Sequence, residues 1–357
     1  MTHAVPGDPT PDASVVLVTT SPRVAPGLLP LRVWELLRAR TVAAGPGHPH
    51  AAALAAEGIA VRWMPDATLA DVRALAPVGW LAVPGDHASL HPGAAAGQPD
   101  VAVLVGSTDL PGARLLDAVA VMDRLRSPGG CPWDAEQTHS SLMPYLLEEA
   151  YEAYQTLEDA DPDALRDELG DVLLQVLFHA RIATEDAGWS IDDVAAGLVE
   201  KLVRRHPHVF GAVSVEGPEQ VQANWDTIKA EEAGGGSTVA RVPLALPALS
   251  LAAKVQKRAS KAGLPPGAVV PGLGSATPTD ALAAAAEALV APDGADRAAG
   301  ELLWLAVAVC SSAGVDPEQA LRGAARAHRD RLADQEARTS SGHSGGAPAA
   351  PTSIHLS

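Results

Sequence analysis

The chain has 357 residues and a formal net charge of −17, from 26 basic and 43 acidic side chains. That length accommodates two or three domains, and that charge argues against nucleic acid or an anionic membrane surface as the main partner. Two cysteines without CxxC spacing, no bilayer-length apolar run and no signal-peptide pattern at the N-terminus exclude a zinc ribbon and a disulfide scaffold, and lead us to expect a cytoplasmic protein with no membrane partner.

Residues 1–112 alternate short β-branched runs with helical ones. VVLVTT (15–20) and VAVLVG (101–106) read as buried strands, with weaker candidates at 60–64 and 80–84. Residues 29–40 and 67–76 between them read as helices. This alternation predicts a small α/β domain. It contains no glycine-rich phosphate loop, GPGHPH around Gly45 reads as a Pro-rich loop, and the domain's role is not legible.

From about Leu115 the pattern becomes helical. One helix begins near Pro144, capped by Ser140 or Ser141, and ends near Glu158. Asp161 followed by Pro162 opens a long helix that stops before Gly188. Its apolar stripe is Leu165, Leu169, Val172, Leu173, Val176, Leu177 and Ala180. The short turn between the two predicts antiparallel packing. Ser190 and Asp193 start a third helix ending in KLVRRHPHVF, and Pro218 opens a fourth that GGGS (234–237) terminates. The expected plan is therefore an α/β domain over 1–112, a helical domain over 113–233, a linker over 234–246, a second helical domain over 247–337 and a disordered tail over 338–357.

The first two of these helices carry the most informative residues. Glu149 and Glu152, and then Glu168 and Asp171, are each spaced i, i+3, so each pair projects from one helix face. Antiparallel packing would bring four carboxylates to a common centre, an arrangement that suits a hard divalent cation such as Mg²⁺. The competing reading is a solvated acidic face. Against it, the acids lie beside the apolar stripe, and two helices share the pattern.

EExxE, fifteen residues and then ExxD, together with LRSPGGCPWDAEQTHSSLMPYLLEEAYE, DELGDVLLQVLFHARIA and KLVRRHPHVF, resemble the MazG family of nucleoside triphosphate pyrophosphohydrolases, in the all-α NTP pyrophosphatase superfamily. The resemblance spans roughly residues 118–232. It implies a mainly α fold: a helical-bundle MazG-type domain, here with a small N-terminal α/β domain and a degenerate C-terminal helical repeat. It also implies hydrolysis of NTPs or dNTPs to the monophosphate and diphosphate, in nucleotide-pool house-cleaning. Mg²⁺ would be the cofactor, with Mn²⁺ as its substitute, and the enzyme would be a homodimer. Carried over by position, the metal ligands are Glu149, Glu152, Glu168 and Asp171. Glu148 is a further acid that either ligates or orients and deprotonates the water.

A triphosphate also calls for protein cations. Lys201, Arg204 and Arg205 at the end of the third helix are the candidates, the alternative being that they complement the helix dipole; for Lys229 that alternative is favoured. Trp133 either stacks on a base or fills a core or interface, and Trp225 is a weaker candidate for the same role. Cys131 reads as a packed small residue, and His206 and His208 as structural. Gly170 costs about 1 kcal/mol relative to Ala within a helix, which predicts a close helix or ligand approach.

In the second helical region GELLWLAVAV (300–309) aligns with GDVLLQVLFH (170–179), but Ala298 and Glu301 stand where ExxD stood, and only Glu287 lies where EExxE would be. The first copy is therefore expected to be active and the second structural. Three other functions compete with this reading. A relative specialised for dUTP or phosphoribosyl-ATP conflicts with the CPWD and RRHPHVF matches. A di-iron centre would need Glu-x-x-His pairs, which neither motif helix has. A non-catalytic nucleotide- or protein-binding module conflicts with the intact acids.

Overall fold

The structure, a computed structural model, describes residues 13–83, 88–95, 98–232, 237, 239–264, 278–289 and 295–343. The chain divides into two compact units, Met1–Arg204 and Arg205–Ser357. It is mainly helical, with one small parallel sheet at the N-terminal end.

The first unit opens with β1 (Val15–Thr19), α1 (Leu31–Arg38), β2 (Thr41–Ala44), α2 (Ala51–Ala56), β3 (Val61–Trp63), α3 (Leu69–Arg73), β4 (Val78–Ala82), a 3₁₀ turn at Ala88–Leu90, α4 (Pro92–Ala95) and β5 (Val101–Val105). The strands form a five-stranded parallel sheet in the order β3-β2-β4-β1-β5. Side chains alternate across it. Val16, Val18, Val42, Ala44 and Leu81 pack with Val33, Leu37 and Leu54 from α1 and α2. Val15, Leu17, Ala43, Val78 and Trp80 pack with Leu69 and Val72 of α3 and with Leu90. Because both faces are covered, the central strands read as unbroken apolar runs, with no polar alternation. The α/β expectation is met, with β2, α2, the 3₁₀ turn and α4 as additional elements. In the GPGHPH loop, His48 and His50 are buried. A hydrogen bond of 3.0 Å joins His48 to Thr20 Oγ1, and His50 Nδ1 accepts the Gly27 N–H at 3.0 Å, so the loop is packed over the end of β1.

The same unit continues into α5 (Arg114–Arg126), α6 (Pro132–Glu136), α7 (Met143–Asp159), α8 (Pro162–Asp186) and α9 (Ile191–Arg205), whose last residue begins the second unit. Arg23, from the loop after β1, donates to both carboxylate oxygens of Asp117 at the start of α5 and to Asp109, which ties the helical part to the sheet. The helical core consists of Met122, Leu142, Leu177, Phe178 and Ile182. Burying each such side chain stabilises the fold by about 1.5–3 kcal/mol.

Asp161 caps α8 as the sequence predicts, accepting from the N–H groups of Asp163 and Ala164 with Pro162 in the first turn. Ser190 and Asp193 make the expected reciprocal start to α9. The expected serine cap of α7 is not formed. Leu142 holds that position, buried in the core, while Ser141 exchanges hydrogen bonds with Thr138 one turn earlier. Tertiary burial of Leu142 overrides the local capping preference.

The second unit holds α10 (Pro207–Phe210), α11 (Pro218–Glu232), α12 (Ala248–Lys261), α13 (Pro278–Leu289), α14 (Ala295–Ser312) and α15 (Pro317–His343). Leu305 and Ala308 of α14 pack on Leu282 and Ala285 of α13. Helix α15 runs to His343, past residue 338 where a disordered tail was expected; residues 344–357 lie outside the described residues, as does most of GGGS. Among the described residues no single helix is long and apolar enough to cross a membrane.

Candidate active site

The site is built on the α7–α8 pair. Ala160, in the left-handed conformation at φ 55°, ends α7, and Asp161 at once caps α8, so the two helices fold back on each other through a minimal turn. Glu149, Glu152 and Glu168 thereby each present a carboxylate oxygen, all within 4.8 Å of one another. Among the described residues this is the one group of three or more His, Cys, Asp or Glu side chains so arranged. Asp171 follows Glu168 by one turn.

The electrostatics are those of crowded anions. The Glu149 pKa is raised, chiefly by burial and then by the charges of Asp171, Glu152, Glu148 and Glu168. The Glu168 pKa is raised in the same way by burial, Glu152, Asp171 and Asp167. Each of the five expected acids thus either belongs to the trio or acts on it. A Cβ at Gly170 would meet nothing within 4 Å, so close packing by a neighbouring helix of this chain does not explain that glycine; the backbone faces open space beside Asp171.

The segment before α7 is fixed by a residue that sequence patterns did not single out. Arg126, the last residue of α5, is buried and donates to both oxygens of Glu185 at 3.2 and 2.8 Å and to the carbonyls of Asp134 and Gln137. Its guanidinium also lies 5.6 Å from the Phe178 ring centre. The intervening turn is tight. Cys131 N–H donates to Leu125 O at 2.8 Å, and a Cβ on Gly130 would fall 2.2 Å from that same oxygen, so only glycine fits. Cys131 is a half-buried free thiol at the start of α6.

Trp133 is about half exposed (52%), held edge-to-face by Tyr145 and Phe178 at 6.2 and 6.4 Å. Lys201 and Arg204 are exposed on α9, a helix that buries none of its residues, and they are not among the leading causes that shift Glu149 or Glu168. Arg205, in the second unit, donates from Nε and Nη2 to the two oxygens of Glu232. Also in that unit, the Trp225 ring meets His206 edge-on at 4.8 Å, and the Lys229 ammonium lies 4.9 Å from its centre, an aromatic–cation contact where only a dipole role was expected. A second pair escaped the sequence reading. His139 and His179 stack at 5.0 Å with their Nδ1 atoms 2.8 Å apart, and the His179 pKa is lowered by burial and by His139.

The MazG nucleotide pyrophosphohydrolase domain profile matches residues 137–210, which contain all five acids. The nucleoside triphosphate pyrophosphohydrolase/pyrophosphatase MazG of Thermotoga maritima is 40% identical over 225 residues, covering 62% of this chain and 84% of that protein. The chain belongs to the MazG family. An uncharacterized 26.1 kDa protein of Streptomyces cacaoi is 47% identical over 241 residues, covering 66% of this chain and 88% of that protein. A nucleoside triphosphate pyrophosphohydrolase of Mycolicibacterium smegmatis is 54% identical over 161 residues, 43% of this chain and 48% of that protein.

Proposed function

We propose that this chain is an Mg²⁺-dependent nucleoside triphosphate pyrophosphohydrolase that converts NTPs or dNTPs to the monophosphate and diphosphate. The carrying observation is the trio Glu149, Glu152 and Glu168, brought within 4.8 Å across two helices, with the pKa values of Glu149 and Glu168 raised. The donor set fits the ion: all hard carboxylate oxygens, with no imidazole or thiolate that would favour a softer metal. Glu149, Glu152, Glu168 and Asp171 would hold it, with Mn²⁺ as a substitute. Bound there, Mg²⁺ would offset phosphate charge and lower the pKa of a coordinated water.

The chain's own groups supply the rest. Glu148, beside Glu149, orients the attacking water or accepts its proton. Lys201, Arg204 and Arg205 are the proposed phosphate contacts, and Trp133, with its edge-held ring and exposed face, the proposed stacking surface for a base or sugar. The expected domain plan stands as part of this proposal, with 113–233 catalytic and 247–337 a structural repeat. In that repeat Glu301 is spent on an ion pair with Arg297 at 2.9 Å.

We further propose a homodimer in the cytoplasm, acting in nucleotide-pool house-cleaning. Val194, Leu198, Leu202 and Val203 are all exposed on α9, and Leu169 and Val176 of the predicted α8 stripe remain exposed as well, an apolar surface that a second copy would cover.

The test is incubation with each NTP and dNTP plus Mg²⁺, with products resolved by ion-exchange chromatography. Monophosphate and diphosphate are expected; nucleoside diphosphate with orthophosphate would refute the assignment.

A further inference from the structure

In a chain of net charge −17, residues 233–279 contain five basic side chains and no acid. Four of the five, Lys254, Lys257, Arg258 and Lys261, sit on α12 at i, i+3, i+4 and i+7, which places them along one helix face. Like charges at these spacings disfavour a helix by about 0.2–0.5 kcal/mol per pair; Arg258 and Lys261 in the last turn complement the helix dipole, but Lys254 and Lys257 lie before it and have no such local account. The fifth, Arg241, comes from the segment before α12.

All five line a single solvent-open cavity of about 1070 Å³ in the second unit, walled on the other side by α11. Among the described residues its lining carries seven basic side chains and two acidic ones, Asp226 and Glu232. Both acids are already engaged, Asp226 by Lys261 and Glu232 by Arg205. Lys254 and Lys257 are exposed at this cavity, and among the described residues neither has an ion-pair partner. A concave site with this excess of positive charge concentrates anions.

We propose that this cavity, lined by residues of the second unit and holding none of the five carboxylates of the first, is a binding site for an oligophosphate. The α12 stripe extends for about 10 Å, given a rise of 1.5 Å per residue, which matches a chain of a few phosphates and not an extended polymer. Among the described residues the lining has no aromatic side chain, so it offers no stacking platform of the kind that single-stranded nucleic acid uses. The recognised group is the oligophosphate itself, whether inorganic or the tail of a nucleotide.

Isothermal titration of the full chain with inorganic tripolyphosphate, without divalent metal, tests this. One saturable site per chain is expected, weakening as salt rises and unchanged by Glu168→Gln, which separates it from the carboxylate site. The double substitution Lys254→Gln with Lys257→Gln should weaken binding at least tenfold while leaving the unliganded melting curve unchanged. Arg241→Gln carries the same test should the double variant fold poorly. A non-hydrolysable NTP titrated alongside distinguishes the sources: equal affinity identifies the phosphate chain alone as the ligand, and tighter binding lost in the same variants identifies a nucleotide. Absence of saturable binding, binding undiminished in both sets of variants, or stronger binding of a thymidine oligonucleotide than of tripolyphosphate would overturn the proposal.

Discussion

Glu152 on α7 and Glu168 on α8 hold carboxylate oxygens within 4.8 Å of each other, and the Glu168 pKa is raised by burial first and by the Glu152 charge next. The folded, metal-free protein therefore keeps protons on this cluster to higher pH than the unfolded chain does. With more protons bound in the folded state, its stability falls as pH rises through and above the ordinary carboxylate range. Glu168→Gln should raise the metal-free melting temperature at neutral pH and flatten that fall. The same variant should lose the stabilisation that Mg²⁺ gives the wild type. Differential scanning fluorimetry with and without EDTA decides it; a lower metal-free melting temperature in the variant contradicts the repulsion argument.

Activity is expected to reside in the first carboxylate set. Glu152→Ala should reduce kcat by on the order of 10²–10³-fold, as loss of an electrostatic stabiliser does. Glu301→Ala removes an exposed ion pair with Arg297, worth about 0–1 kcal/mol, and should leave turnover intact. Diphosphate release assays on both variants check this, and the reverse pattern would move the active centre to the second copy.

Arg126 is expected to hold the segment leading into α7. Arg126→Met removes the buried side-chain donor from the carbonyls of Asp134 and Gln137 and leaves the Glu185 carboxylate with Arg181 alone. The loss should be about 2–3 kcal/mol, below the ~3–5 of a fully buried pair because Glu185 is partly solvated. Hydrogen bonding to Arg126 also holds the Glu185 pKa down, so this contribution is present above the ordinary carboxylate range and is lost as pH falls through the depressed value. Urea titrations at neutral and acidic pH should show the two proteins converging at the acid end.

The His139–His179 stack should make stability pH-sensitive on the acid side. Burial and the neighbouring ring lower the His179 pKa, so the unfolded chain takes up a proton more readily than the folded one. Stability is then complete above about pH 6.5, the unperturbed imidazole value, and declines as pH falls below it. His139→Asn should reduce that decline, measured as melting temperature from pH 7.5 to 5.5.

The exposed α9 face predicts the oligomeric state. Light scattering should report a dimer for the wild type, and Leu198→Glu, within that face, should shift it toward monomer. A wild-type monomer at tens of micromolar would refute the proposed interface.

Much of the fold was legible because its signals are local. Buried strands such as VVLVT are continuous apolar runs, and Asp161 before Pro162 marks the start of α8 by cap chemistry that needs no distant partner. Elements lacking their own signal were not legible. TVAA at β2 becomes a strand because β3 and β4 flank it, and AAALAA at α2 has too short a pattern to stand out. At the candidate site, the acids could be found by helical spacing. Arg126 and the histidine stack could not, since their partners lie 59 and 40 residues away.

The sequence by itself determined the carboxylate pattern, the helices that carry it and the resemblance to a nucleotide-cleaving family, because these depend on residue type and on spacings within a few turns. Tertiary structure alone decided that Glu149, Glu152 and Glu168 meet closely enough for neighbouring charges to add to burial in raising the proton affinity of Glu149 and Glu168. It also displaced the expected serine cap with Leu142, and gathered the basic face of α12 and Arg241 into one cavity. Each of these depends on distances between elements, set by packing, on which periodicity along the chain is silent.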